Sequence, residues 1–187
     1  MSATPADVVP PFGAEAAAVV HALVERRETL AVVESLTGGM LATAIVDIAG
    51  VSAVFRGGLV VYATDLKASL AGVPSALLAE RGPVDPDVAV ALAQGCRERC
   101  GADWALATTG VAGPEPQGGK PVGLVYVAVA GPEGSTVREL KLGPGRLVVR
   151  DGAVRGALHL LADRLRGDDR PGDHAPVGRS GGAGRGR

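Results

Sequence analysis

Apolar residues recur at helical spacing from Ala14 to Arg27, then give way to a short β-rich run over Thr29 to Val33. That run stops at Glu34-Ser35, crosses Thr37-Gly38-Gly39 and becomes a second helical stretch from Gly38 to Ile48. Gly57 to Tyr62, "GGLVVY", has the continuous apolar character of a buried strand. Thr64 to Leu70 and Ser75 to Arg81 predict short helices parted by Gly72-Val73-Pro74. Asp85-Pro86 supplies an N-cap and a proline at the first helical position, so a helix is expected from Asp85 to Arg99, ahead of Gly101. Ala102 to Ala107 predicts a strand ending in Thr108-Thr109-Gly110. Val122 to Ala130 and Ser135 to Leu142 predict a hairpin around Gly131-Pro132-Glu133-Gly134. An amphipathic helix from Arg146 to Leu165 closes the pattern.

Helices that alternate with apolar strands, followed by a hairpin, predict an α/β protein. The expected architecture is a single layered α/β/α domain with a mixed, largely buried sheet. There is no internal repeat. Residues 1–12, with Pro5, Pro10 and Pro11, read as a flexible lead-in, and 13–166 as the domain. From Gly167 the chain is dense in Gly, Pro, Arg and Asp, and such a composition buries too little surface to offset its ordering entropy. Residues 167–187 are therefore expected to be a disordered tail.

Composition mostly removes options. A formal net charge of -1 argues against a nucleic-acid partner, and 3% aromatic residues leave little for stacking single strands. The N-terminus lacks a signal-like pattern, and no apolar run reaches the roughly 18 residues of a membrane span, so a cytoplasmic protein without membrane contact is expected. Cys96 and Cys100 lie four apart on a predicted helix with no further Cys or nearby His to complete a metal site. No metal and no cofactor are expected. His21 and His159 fall on outer helices and His174 in the tail, which disfavours a Ser-His-Asp triad.

In open α/β sheets, ligands sit beyond the carboxyl ends of strands, and three such ends here are polar or glycine-rich: "ESLTGG", "YATDLK" and "TTGVAGPEPQGGKPVG". A helix starting at Gly38 or Gly39 would present free N–H groups and a positive dipole end to an anion, with Ser35 beside it. A turn with Thr37 as the helix cap fits the same residues. Gly113 to Lys120 is not a phosphate-binding P-loop. Five residues rather than four separate Gly113 from Gly119, and Pro121 stands where a Ser or Thr is required. Ser35 is not in a G-x-S-x-G elbow or an S-x-x-K motif. If Ser35 is a nucleophile, Lys67 is the best candidate base. It falls in the first turn of a helix capped by Thr64 or Asp65, where dipole and burial both disfavour its charge. Tyr62 is placed to relay or orient that proton. On spacing alone, a surface lysine in a strand-to-helix turn is the better reading.

"ESLTGG", "FRGGLVVYATDLKASLAGVP", "GPVDPDVAVALAQG", "GADWALATTGVAGP" and "KPVGLVYVAVAG" occur in the order found in the CinA C-terminal domain family, and the chain resembles that family from about Ala14 to Leu165. The family includes competence/damage-inducible proteins and stand-alone nicotinamide mononucleotide deamidases. The resemblance implies an amidohydrolase that converts nicotinamide mononucleotide and water to nicotinate mononucleotide and ammonia. It places the catalytic serine, tyrosine, lysine and threonine on Ser35, Tyr62, Lys67 and Thr109. Substrate contacts are expected at Glu34, Thr37, Gly38, Gly39, Gly110, Gly113 and Arg146, the last facing the phosphate. A homo-oligomer, with a dimer favoured, is expected. The sequence departs from the family pattern at Leu36, where Cys is usual, in the shortened "EPQGGKPVG" loop, and at Gly145-Arg146, which lacks the usual intervening Asp. A non-catalytic nucleotide-binding or competence-linked interaction module is the alternative.

Removing residues 167–187 is expected to leave melting temperature and turnover unchanged. Thermal denaturation and an activity assay on the shortened chain check this, and a large loss of either contradicts it.

Overall fold

The structure is a computed structural model that describes residues 11–168. Most of the expected lead-in and nearly all of the expected tail lie outside those residues. Two boundaries move. Phe12 is buried against the core and directly precedes the first helix, and the last helix continues past 166 to Asp168.

Among the described residues the order is α1 (Gly13–Arg26), β1 (Leu30–Glu34), α2 (Met40–Val46), β2 (Phe55–Val60), α3 (Thr64–Ser69), α4 (Ser75–Arg81), α5 (Pro86–Cys100), β3 (Trp104–Gly110), β4 (Leu124–Gly131), β5 (Gly134–Lys141) and α6 (Arg146–Asp168). A 3₁₀ turn at Val51–Ala53 leads into β2. Asp85 caps α5 as its sequence predicts, accepting the Asp87 N–H at 2.9 Å. No helix among these residues is long and apolar enough to cross a membrane.

The five strands form one sheet in the order β2-β1-β3-β4-β5. β1 runs parallel to both β2 and β3, and the β3-β4 and β4-β5 pairs are antiparallel. The sheet is thus mixed, and its parallel half carries the expected crossovers. β1 is buried along its whole length because both faces are covered. Leu30 and Val32 join the core packed by α1, α2 and α6, whereas Ala31 and Val33 join the core packed by α5. Each such Val or Leu contributes about 1.5–3 kcal/mol on burial.

One strand departs from its sequence reading. "GGLVVY" predicts a buried strand, but β2 begins at Phe55, ends at Val60 and lies at the sheet edge, with alternate residues half-buried and exposed. Continuous apolar character identifies a strand without saying which strands flank it. The last two residues of the expected run, Val61 and Tyr62, leave the sheet and enter the turn before α3.

Gly95, inside α5, shows how tightly the layers meet. A Cβ there would stand 1.8 Å from the Ala71 carbonyl oxygen. Glycine in a helix interior ordinarily costs about 0.5–1 kcal/mol relative to alanine, so Gly95→Ala at a free site would stabilise. Here the backbone contact reverses the sign, and Gly95→Ala is expected to destabilise by about 1–3 kcal/mol. Urea denaturation checks it, and an unchanged or raised midpoint contradicts it.

Candidate active site

The corner after β1 is built around a carboxylate. Glu34 ends the strand between β2 and β3 and is fully buried. Its Oε2 accepts the N–H groups of Gly39 and Leu41, each at 3.0 Å, and its Oε1 accepts that of Ala42 at 2.9 Å. Helices begin with unpaired N–H groups and a positive dipole end, and a carboxylate satisfies both. Gly38 and Gly39, at φ 57° and 100°, supply the left-handed backbone that folds α2 back over the strand end. Ser35 donates its N–H to Thr108 at 3.0 Å, which ties the corner to β3. The hydroxyls of Thr37 and Thr108 share a buried bond of 2.8 Å.

The sequence leads to the expectation of a substrate anion at the glycine corner. The anion there belongs to the chain itself. Glu34 and Thr37 are both fully buried, and Thr37 is not the helix cap. Gly38 and Gly39 line a separate groove with Pro11, Phe12 and Met40.

Lys67 reaches the same corner from α3. Its side chain is 1% exposed, and Nζ lies 3.1 Å from Ser35 Oγ, 2.8 Å from the Val61 carbonyl oxygen and 3.4 Å from that of Tyr62. Burial lowers its pKa from 10.5 to about 8. The cause is desolvation. The expected cap is absent, since α3 starts after Ala63 with no side-chain bond from Thr64 or Asp65. A neutral amine has two N–H donors and one lone pair. Two carbonyls take the donors, which leaves the lone pair for the serine hydroxyl.

Ser35, Lys67, Thr109, Gly110, Gly113, Tyr62 and Arg146 all line one cavity of about 110 Å³. The structure therefore gathers the serine, the lysine and the threonine-glycine loop in one place. Thr109 is buried and donates its hydroxyl proton to the Pro83 carbonyl at 2.6 Å. Arg146, the first residue of α6, donates to the Gly113 carbonyl at 2.7 Å and to the Tyr62 hydroxyl at 2.9 Å. Tyr62 is 58% exposed, and its hydroxyl is engaged by Arg146 at the cavity mouth. Only its backbone carbonyl meets Lys67, so a proton relay through the phenol is not what this arrangement offers.

Sequence reasoning missed Arg150. From α6 it donates Nε to the Leu36 carbonyl at 3.0 Å and Nη2 to the Thr37 carbonyl at 2.7 Å. Its one signal is its position four residues, about one helical turn, after Arg146. His21 and His159 are exposed on outer helices. Burial pushes the Cys96 thiol up, and Cys100 raises it further. No group of His, Cys, Asp and Glu able to hold a metal occurs among the described residues.

The family described as CinA C-terminal domain matches residues 14–165. A CinA-like protein of Frankia casuarinae is 50% identical over 149 residues, covering 80% of this chain and 34% of that protein. One from Geobacter sulfurreducens is 48% identical over 151 residues, covering 79% of this chain and 36% of its own length. The chain spans about a third of the curated relatives it matches. Among solved structures, competence/damage inducible protein CihA from Agrobacterium tumefaciens superposes with a TM-score of 0.79 at 34% identity. That match covers 89% of this chain and 99% of the other. The competence damage-inducible protein A (ComA) of Klebsiella pneumoniae superposes with a TM-score of 0.80 at 30% identity, covering 82% and 96%.

Glu34→Ala strands three N–H groups, at least one of them buried, and is expected to cost roughly 2–4 kcal/mol of stability. Chemical denaturation measures it. A loss below about 1 kcal/mol would show that water replaces the carboxylate freely.

Proposed function

The chain belongs to the CinA C-terminal domain family, and on that footing we propose that it is an amidohydrolase acting on nicotinamide mononucleotide. The single observation that carries this reading is the buried amine of Lys67, 3.1 Å from Ser35 Oγ. No histidine lines the site among the described residues, so lysine is the group able to move the serine proton. With Lys67 neutral, Ser35 Oγ attacks the carboxamide carbon and its proton passes to Nζ. Backbone N–H groups stabilise the oxyanion that forms. The C–N bond then breaks, Nζ returns the proton to the departing nitrogen, and ammonia leaves an ester on Ser35. Water, deprotonated by Nζ, attacks that ester and releases the carboxylic acid. In this reading Arg146, exposed at the mouth, meets the substrate phosphate, and Gly110 and Gly113 line the path to it. Pyridine nucleotide recycling in the cytoplasm is the setting that such a reaction implies.

Purified protein incubated with nicotinamide mononucleotide is expected to release ammonia and nicotinate mononucleotide in equal amounts. A binding-only module releases neither. Ser35→Ala should lower kcat about 10³-fold or more with the fold intact by circular dichroism. Near-normal turnover in that variant would remove Ser35 from the chemistry.

The direction of the Lys67 shift sets the pH dependence. Below about pH 8 the amine is protonated and cannot accept a proton, and above it the amine is neutral. The rate is expected to rise with pH through a midpoint near 8 and then level off. Lys67→Arg keeps the charge, but a guanidinium is not deprotonated in this range, so it should be as inactive as Lys67→Ala. An active Lys67→Arg enzyme would make the residue an electrostatic clamp instead of a base.

A further inference from the structure

The turn that presents Ser35 has its hydrogen bonds distributed in an informative way. The Gly38 N–H closes it onto the Ser35 carbonyl at 3.2 Å, so Leu36 and Thr37 occupy the two central positions. Ser35's own N–H is spent on Thr108 and is unavailable to a substrate. The N–H groups of Leu36 and Thr37 meet no acceptor among the described residues. Leu36 lines the cavity beside Ser35. The carbonyls of these two residues, by contrast, are both held by one guanidinium from a helix 113–114 positions away in sequence. Arg150 pairs with no carboxylate among the described residues, so its charge is directed onto these two oxygens.

We propose that Arg150 is a positioning residue that fixes the Leu36-Thr37 turn so that the Leu36 N–H serves as an oxyanion donor to the group attacked by Ser35. The reasoning is geometric first. Two donors set at fixed spacing on a planar guanidinium hold two successive carbonyls in one orientation, which a single ammonium does not. Those carbonyls share their peptide groups with the Thr37 and Gly38 N–H, so the guanidinium fixes these two planes directly, and the Gly38 N–H in turn holds the Ser35 carbonyl, whose peptide carries the Leu36 N–H. An electrostatic contribution follows. The guanidinium on the Thr37 carbonyl polarises the peptide it shares with the Gly38 N–H, and that N–H, bonded to the Ser35 carbonyl, polarises in turn the peptide that carries the Leu36 N–H. Donors in place before the reaction contribute most where negative charge develops. The proposal rests on the amidase reading, since an oxyanion forms only if Ser35 attacks a carbonyl.

The test uses Arg150→Met, which keeps stem volume without the donors, and Arg150→Lys, which keeps charge and one donor group. For Arg150→Met, kcat on nicotinamide mononucleotide should fall by roughly 10²-fold, the size seen when one oxyanion donor is lost. KM should change less than about threefold, and the pH midpoint should stay near 8, because the Lys67 contacts are untouched. Arg150→Lys should recover part of kcat. A second readout needs no substrate: the rate at which a fluorophosphonate modifies Ser35, followed by mass spectrometry, should drop at least about tenfold in Arg150→Met. A folded Arg150→Met with kcat and labelling within about threefold of wild type overturns the proposal. So does a rise in KM at unchanged kcat, which would make Arg150 a substrate contact, and so does the unfolding of both variants, which would make it a fold residue. Wild type that labels at Ser35 but turns over no nicotinamide mononucleotide sinks the substrate assignment alone, and labelling then decides the role of Arg150.

Discussion

The fold reaches its chemistry through the carboxylate of Glu34. It ends the central parallel strand and takes three N–H groups of the helix that follows. A strand-to-helix corner leaves polar groups in the interior of the sheet layers, and each unpaired one costs about 1–3 kcal/mol. Glu34 resolves this within the chain, at the position next to Ser35. The corner is tied on both sides, with the Ser35 N–H bonded to Thr108 and its hydroxyl 3.1 Å from Lys67 Nζ. The helix start that could bind an anion is thus filled by the chain's own carboxylate, beside Ser35.

That arrangement accounts for which parts of the site were legible in the sequence. The closeness of Ser35, Thr109 and Lys67 was, because Ser35 and Thr109 stand at the ends of parallel strands and Lys67 lies in the short helix after a third, and such ends share one edge of an α/β sheet. Element types were legible for the same reason, and α4 falls on its predicted bounds. The role of Glu34 was not. An acid before a glycine pair reads equally as a substrate contact or as a helix anchor, and the choice depends on whether the side chain folds forward over α2. The exposure of β2 was hidden because strand order is a tertiary property. Arg150 was hidden because its partners lie 113–114 residues away, with no local pattern to couple them.

For Lys67 the sequence suggested two causes of a weakened charge, the helix dipole and burial. Its position in a short helix suggested the dipole as the agent that weakens its charge. In the structure α3 has six residues and no side-chain cap, and Nζ curls back onto carbonyls that precede the helix. Burial alone lowers the pKa. The distinction bears on chemistry. Dipole effects are screened by salt, whereas desolvation persists as long as the cavity stays closed around the amine.

The two shortest supports of the site, α2 and α3, have seven and six residues. Neither length forms a stable helix alone, since isolated helices are marginal below about 12–15 residues. Each is held by a charged-type side chain that also borders the reaction centre. Glu34 fastens α2 to the strand carrying Ser35, and Lys67 fastens α3 to the Val61 carbonyl while facing the same serine. In the amidase reading, stability and reactivity are therefore coupled at these residues. Protonated Lys67 keeps three donors on three oxygens, whereas neutral Lys67 keeps two and turns its lone pair to Ser35. The form that holds the helix most strongly is the one that cannot accept the proton. A pKa near 8 leaves both forms populated around that pH. A more deeply buried amine would be neutral more often but would anchor α3 less, and a solvated one would anchor nothing and stay charged.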